Sequence, residues 1–136
     1  KILILSREIG LKLEFSDITI EKIIPPACEA APTVDAFFEE IDKSNAFFEK
    51  LVNEAAAKGE VLRYIACLKD QKITIGLRSV GSSHPFYQMD GADNVIAFTT
   101  KRYHDRPLVI KGPGAGAEVT ASGVFADIVS IGSHLA

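Results

Sequence analysis

The chain has 136 residues, 47% hydrophobic and 24% charged, and its 15 basic and 18 acidic side chains leave a formal charge of −3. That length suits one domain or part of a larger protein, and that balance belongs to a folded chain rather than a disordered one. It lacks the surplus of Lys and Arg that a non-specific nucleic-acid binder needs, it has no stretch of ~20 apolar residues to span a bilayer, and no basic start leads into a secretory apolar run. Partners are therefore expected to be neither nucleic acid nor membrane. Cys28 and Cys67 form no C-x-x-C pair and read as reduced, partly buried thiols of a cytosolic compartment. His84, His104 and His134 lack metal-ligand spacing, so no protein-made metal site is expected.

Lys1 to Ile9 reads as the later turns of a helix, with Gly10 at the left-handed C-cap. The first residue is not methionine and no capping residue precedes the helix, so the chain is expected to be part of a longer protein. From Leu11 to Ile24 the pattern is short-ranged, with Phe15, Ile18, Ile20 and Ile23 as expected buried positions, and Pro25-Pro26 is expected to block regular structure. Thr33 is placed to cap a helix over Val34 to Ile41, with Phe37, Phe38 and Ile41 on one apolar side. A second helix is expected from Ser44 or Asn45 to Lys58, with Phe47, Phe48, Leu51, Val52 and Ala55 as core and Gly59 as the stop.

The register then changes. Val61 to Leu68 is β-rich, Lys69-Asp70-Gln71 breaks it, and Ile73, Ile75 and Leu77 alternate with Lys72, Thr74 and Arg78, which predicts a hairpin with a half-exposed second strand. Further strands fit Asn94 to Thr100 and Leu108 to Lys111. The close is helical: Val124, Ile128, Ile131 and Leu135 share a stripe that Phe125 and Val129 widen, so the helix is expected to be well covered. Together these elements predict an α+β protein.

Two stretches carry residues suited to chemistry. Lys111 to Ala121 is glycine-rich and lies between a strand and a helix, where backbone can approach a ligand and helix amides meet negative charge. Gly112-x-Gly114-x-x-Ala117 meets a permissive dinucleotide pattern, but the fingerprint needs a whole βαβ unit and a later acidic residue, for which too little chain follows. From spacing alone, a tight strand-to-helix turn is the favoured explanation. The second stretch is Gly81-Ser82-Ser83-His84-Pro85-Phe86, whose histidine has the titration range for proton transfer or simply orders a loop. Asp90, Asp93, Asp105 and Asp127 offer ion-pair partners without forming a two-carboxylate site, and His104 and His134 read as surface residues.

The run Pro107-Leu108-Val109-Ile110-Lys111-Gly112-Pro113-Gly114-Ala115-Gly116-Ala117-Glu118-Val119-Thr120-Ala121 resembles the C-terminal signature of homoserine dehydrogenases. Ser83-His84-Pro85-Phe86 and Gly91-Ala92-Asp93-Asn94-Val95-Ile96 stand at the expected distance upstream, and Gly59-Glu60-Val61-Leu62-Arg63-Tyr64 resembles the bifunctional aspartokinase/homoserine dehydrogenase form. The resemblance implies NAD(P)-dependent interconversion of L-aspartate 4-semialdehyde and L-homoserine, in threonine, methionine and isoleucine biosynthesis, by a cytoplasmic homodimer. It implies a mixed sheet with helices, a substrate and dimerisation region over residues 1–111, and a glycine loop and helix over 112–136 that return to a nucleotide-binding domain outside this chain.

Residue by residue, the resemblance makes Lys1 the catalytic lysine that exchanges a proton with the carbonyl oxygen. It makes Gly116 the glycine whose backbone lies against the NADP or NAD cofactor, and His84 and Gly114 active-site support. Thr120 is the expected cap of the last helix, and Glu118 lies in the same opening turn. With no dinucleotide fingerprint of its own, the chain alone is expected to be inactive. A module that kept the scaffold for dimerisation or regulation without catalysis is the alternative.

Overall fold

The structure, a computed structural model, describes residues 1–89, 91 and 93–135. It divides into two compact units, Lys1–His84 and Pro85–Ala136.

The first unit opens with α1 (Ile2–Glu8), which buries Leu3 and Ser6. The Ser6 hydroxyl is satisfied by donating to the Leu3 carbonyl at 2.7 Å. Gly10 takes φ +87°, its amide bonding the Arg7 carbonyl and the Leu11 amide the Ser6 carbonyl, so the predicted C-cap is a Schellman motif. A 3₁₀ turn over Phe15–Asp17 leads into β1 (Ile18–Ile20).

Here the expected burial fails: Phe15 is 80% and Ile20 57% exposed. The strand is only three residues long and lies at an edge of its sheet, where there is too little neighbouring surface to cover both side chains. Pro26 does not block structure either. It opens the short α2 (Pro26–Glu29) at the one helical position where a missing amide costs nothing.

α3 (Val34–Lys43) begins as predicted, the Thr33 hydroxyl accepting from the Ala36 amide at 3.2 Å. α4 (Asn45–Ala56) starts after Ser44, whose hydroxyl donates back to the Glu40 carbonyl at 2.8 Å instead of capping forward. Gly59 at φ +69° closes α4 with Gly59-to-Ala56 and Glu60-to-Ala55 bonds. The phenylalanines expected as core are only partly covered: Phe38 and Phe47 are exposed, and Phe37–Phe38 and Phe47–Phe48 instead meet edge to face at 5.6 and 5.2 Å. Adjacent residues point about 100° apart around a helix, so each pair splays across the rim of the apolar stripe.

β2 (Val61–Lys69) and β3 (Lys72–Val80) pair antiparallel through the two-residue turn Asp70-Gln71. Both turn residues have positive φ, 50° and 61°, the twist that a tight hairpin requires. β1 joins β3 in parallel, which gives the mixed order β1-β3-β2. β3 is thus the central strand, and its burial is mixed, with Lys72 and Ser79 exposed. Ile73 is 1% exposed and Val80 6%, and with Leu3, Cys28 and Ala55 they form the buried apolar set. Of the two thiols, Cys28 is buried and Cys67 exposed.

In the second unit, β4 (Asp93–Phe98) and β5 (Leu108–Pro113) form an antiparallel pair, followed by α5 (Ala117–Leu135). No described residue of this unit is buried. The expectation that α5 is well covered therefore does not hold for this chain: Phe125 is 67% and Ile131 61% exposed. A two-stranded ribbon cannot blanket a helix of 19 residues that is apolar around most of its girth. No helix among the described residues is long and apolar enough to cross a membrane.

Candidate functional site

The glycine-rich segment is the connection from β5 to α5. Its near end is held by the ladder, with Asp93 opposite Pro113 and Asn94 opposite Gly112. Lys111 reinforces that end, its Nζ lying 3.5 Å from Asp93 Oδ2 and donating to the Gln88 carbonyl at 3.3 Å. The ion pair is partly solvated, so it contributes more to placement than to stability. The far end is the helix start, where the Thr120 amide bonds the Gly116 carbonyl at 3.1 Å. Thr120 is thus one turn inside α5 and not its cap. The cap position falls to Gly116 because the chain reverses there.

Two of these glycines are required for different reasons. Gly116 sits at φ +121°, a region L side chains rarely enter, yet a Cβ there would meet nothing within 4 Å. Gly114 has ordinary backbone but no room: an added Cβ would come within 2.7 Å of Asn94 Cγ and closer still to its amide nitrogen. The open side of Gly116 is where a ligand is able to approach the backbone. The first amides of α5 lack intrahelical partners by helix geometry, and Glu118 adds a carboxylate to that turn. A carboxylate in that turn is favoured by the helix dipole and partly offsets the pull of the amides on an outside anion.

Lys1 and His84 belong to the first unit. Lys1 is exposed at the start of α1, its carbonyl accepting from the Leu5 amide at 3.2 Å. His84 is exposed, and its amide closes a turn onto the Gly81 carbonyl at 2.9 Å. The structure thus brings Gly114 and Gly116 together on one turn, while Lys1 and His84 are the first and last residues of the other unit in sequence. Asp90 lies outside the described residues, Asp93 pairs with Lys111, and Asp105 lies 3.1 Å from His104 on the surface.

Sequence reasoning passed over two features. One is Asn94, which the sequence marks only as a strand start and as part of the resemblance; its signal is a strand-borne amide two positions along the ladder direction from a glycine. The other is a bidentate ion pair in the first unit, Arg78 Nη1 to Glu21 Oε2 at 2.5 Å and Nη2 to Oε1 at 2.7 Å. It lies over Gly76, where a Cβ would come within 2.7 Å of the Glu21 carboxylate. The Arg78 hydrogen bond and charge hold the Glu21 carboxyl below the usual carboxylate range, and the same bond raises Arg78 further. With the Glu21 amide donating to the Ile75 carbonyl at 2.7 Å, the pair ties the end of β1 to β3.

These features define an α+β chain, with a mixed sheet in one unit and a strand–glycine turn–helix element in the other. The family model for homoserine dehydrogenase matches residues 1–129, and the chain belongs to that family. It is 44% identical, over 99% of its length, to the chloroplastic bifunctional aspartokinase/homoserine dehydrogenase 2 of Arabidopsis thaliana, and 37% identical to the homoserine dehydrogenase of Schizosaccharomyces pombe. The chain spans 15% of the first of these relatives and 37% of the second. Among solved structures it is similar to a putative homoserine dehydrogenase from Archaeoglobus fulgidus, with a TM-score of 0.65 and 27% identity over 96% of this chain and 33% of that one. A Candida auris protein of unknown function gives a TM-score of 0.85 at 36% identity over 98% of this chain and 38% of that one.

Proposed function

We propose that this chain supplies the C-terminal part of a homoserine dehydrogenase of the bifunctional, aspartokinase-linked type. The whole protein would interconvert L-aspartate 4-semialdehyde and L-homoserine with NADP or NAD. The observation that carries this reading is the family match over residues 1–129 together with a glycine at φ +121° whose outer side is open. The bare backbone at Gly116, open on its outer side, suits close approach of a flat group such as the nicotinamide ring. The pyrophosphate and ribose contacts are assigned to the nucleotide-binding part of the whole protein.

When bound, the nicotinamide supplies or takes up the hydride. Lys1 handles the proton. In the reducing direction its ammonium gives one N–H proton to the carbonyl oxygen as the carbonyl carbon gains hydride, so C=O becomes CH–OH. In the oxidising direction its amine form takes the hydroxyl proton. Gly116 presents bare backbone to the ring, and Gly114 and His84 support the surrounding loops.

Residues 1–111 make up the substrate and dimerisation part. Residues 112–136 return to the nucleotide-binding part, whose surface would cover the apolar face of α5. That requirement follows from cost: leaving several large aliphatic and aromatic side chains in water forfeits roughly 1.5–3 kcal/mol each. The protein acts as a homodimer in a reducing, cytoplasmic compartment, consistent with two free thiols. By itself this chain has no turnover.

The test is homoserine-dependent reduction of NADP⁺ by the full-length protein beside its Lys1→Ala variant. The expected loss is on the order of 10²-fold or more, as for removal of a proton-transfer group. A full-length protein inactive with both nucleotides would leave a scaffold without catalysis as the better reading.

A further inference from the structure

We propose that Asn94 is the positioning residue of the nucleotide-facing turn, its carboxamide lodged against Gly114 so that residues 114–116 follow one path and Gly116 stands where the cofactor meets it. This inference rests on the proposed dehydrogenase reading and adds to it a residue that acts through another.

Asn94 stands opposite Gly112 in the β4–β5 pair, and Gly114 is two residues further along, the diagonal position a medium-length side chain reaches from a neighbouring strand. The carboxamide does reach it: Asn94 Cγ would lie 2.7 Å from a Cβ at Gly114, with the amide nitrogen nearer still. Gly112, directly opposite, has no such constraint, since a Cβ there meets nothing within 4 Å. The contact is therefore specific to Gly114.

The turn needs such a contact. Gly114-Ala115-Gly116 carries two glycines, the residues that lose most freedom on ordering, and Gly116 must be held at φ +121°. Asn94 is on a strand whose register is set by six ladder pairs and by the Lys111 ion pair, so its backbone is fixed while the turn is not. A site held from a rigid element keeps its geometry better than one left to a loop. The carboxamide also brings two donors and an acceptor to a segment rich in backbone amides and carbonyls. Gly114 is thus glycine to admit Asn94, whereas Gly116 is glycine for its backbone angle.

The experiment uses the full-length protein with Asn94→Ala, Gly114→Ala and the double variant. Three readouts are taken: dissociation constants for NADP⁺ and NADPH by fluorescence titration, KM and kcat with homoserine, and Tm. A methyl at Gly114 displaces the movable Asn94 side chain, so both single variants are expected to weaken nucleotide binding by about tenfold, and the double variant by no more than the worse single, because all three break one contact. The effect should appear in nucleotide affinity and KM while kcat at saturating nucleotide stays within a few-fold.

Unchanged affinity in both singles, or losses that multiply in the double, would overturn the inference; so would a fall in Tm with affinity and KM intact, which marks a purely structural role. Wild type that turns over homoserine without this coupling refutes the Asn94 assignment alone. Wild type that binds nucleotide with the coupling but does not turn over homoserine supports Asn94 and refutes the reaction. Wild type that binds neither nucleotide refutes both.

Discussion

Replacing Gly116 by alanine separates backbone conformation from space. At φ +121° the residue lies beyond the left-handed helical region that Asp70 and Gln71 occupy at 50° and 61° in this same chain. Holding an L residue in so sparsely populated a region costs ~1–3 kcal/mol. No steric cost adds to this, because a Cβ at Gly116 meets nothing within 4 Å. The turn therefore relaxes away from its observed path, and ~1–3 kcal/mol corresponds to roughly 5–150-fold in the population of the binding-ready form. In the full-length protein Gly116→Ala is expected to raise the dissociation constant and KM for NADP⁺ within that range, beyond any added loss from the methyl facing the cofactor. Titration of nucleotide fluorescence measures the first and initial rates the second. Retained affinity and retained Tm together would refute the reasoning, since the turn would then need neither the positive φ nor the bare backbone.

Three further outcomes are expected on the chain's own stability. Glu21 titrates below the usual carboxylate range because of its Arg78 partner, so the pair's contribution is present at neutral pH and is lost as pH falls through the lowered value. Glu21→Gln should accordingly flatten the acid side of the Tm-against-pH curve, with a smaller effect in high salt because the pair is exposed; identical curves would remove the pair from the account. Ile73, 1% exposed on the central strand, should cost ~2–5 kcal/mol as alanine and ~0.5–1.5 kcal/mol as valine in urea unfolding, and equal small losses would contradict its place in the core. Thr33→Ala removes the bond to the Ala36 amide and should cost ~1 kcal/mol, whereas Ser44→Ala, whose hydroxyl bonds the Glu40 carbonyl, should leave the start of α4 intact; amide exchange at each helix start distinguishes them.

What could be read from the sequence was what local chemistry decides. Gly10 and Gly59 mark helix ends because positive φ is nearly free for glycine, and Thr33 starts a helix because its hydroxyl meets an orphan amide three residues on. The break at Asp70-Gln71 and the strands around it follow from alternation and turn preference, and the glycine-rich run stood out by composition alone. Each of these depends on a few consecutive residues.

What the sequence left undecided depends on partners distant along the chain. Phe15 and Ile20 look like core residues but lie in a 3₁₀ turn and a short edge strand, and β3 is central only because β1 arrives beside it from more than fifty positions away. The apolar stripe on α5 is plain in the sequence, yet burial needs an opposing surface, and the β4–β5 ribbon is too narrow to be one. Gly114 and Gly116 read alike as letters. Only the tertiary structure separates them, because one reason is the side chain of Asn94 reaching across a ladder and the other is the backbone angle at Gly116 itself.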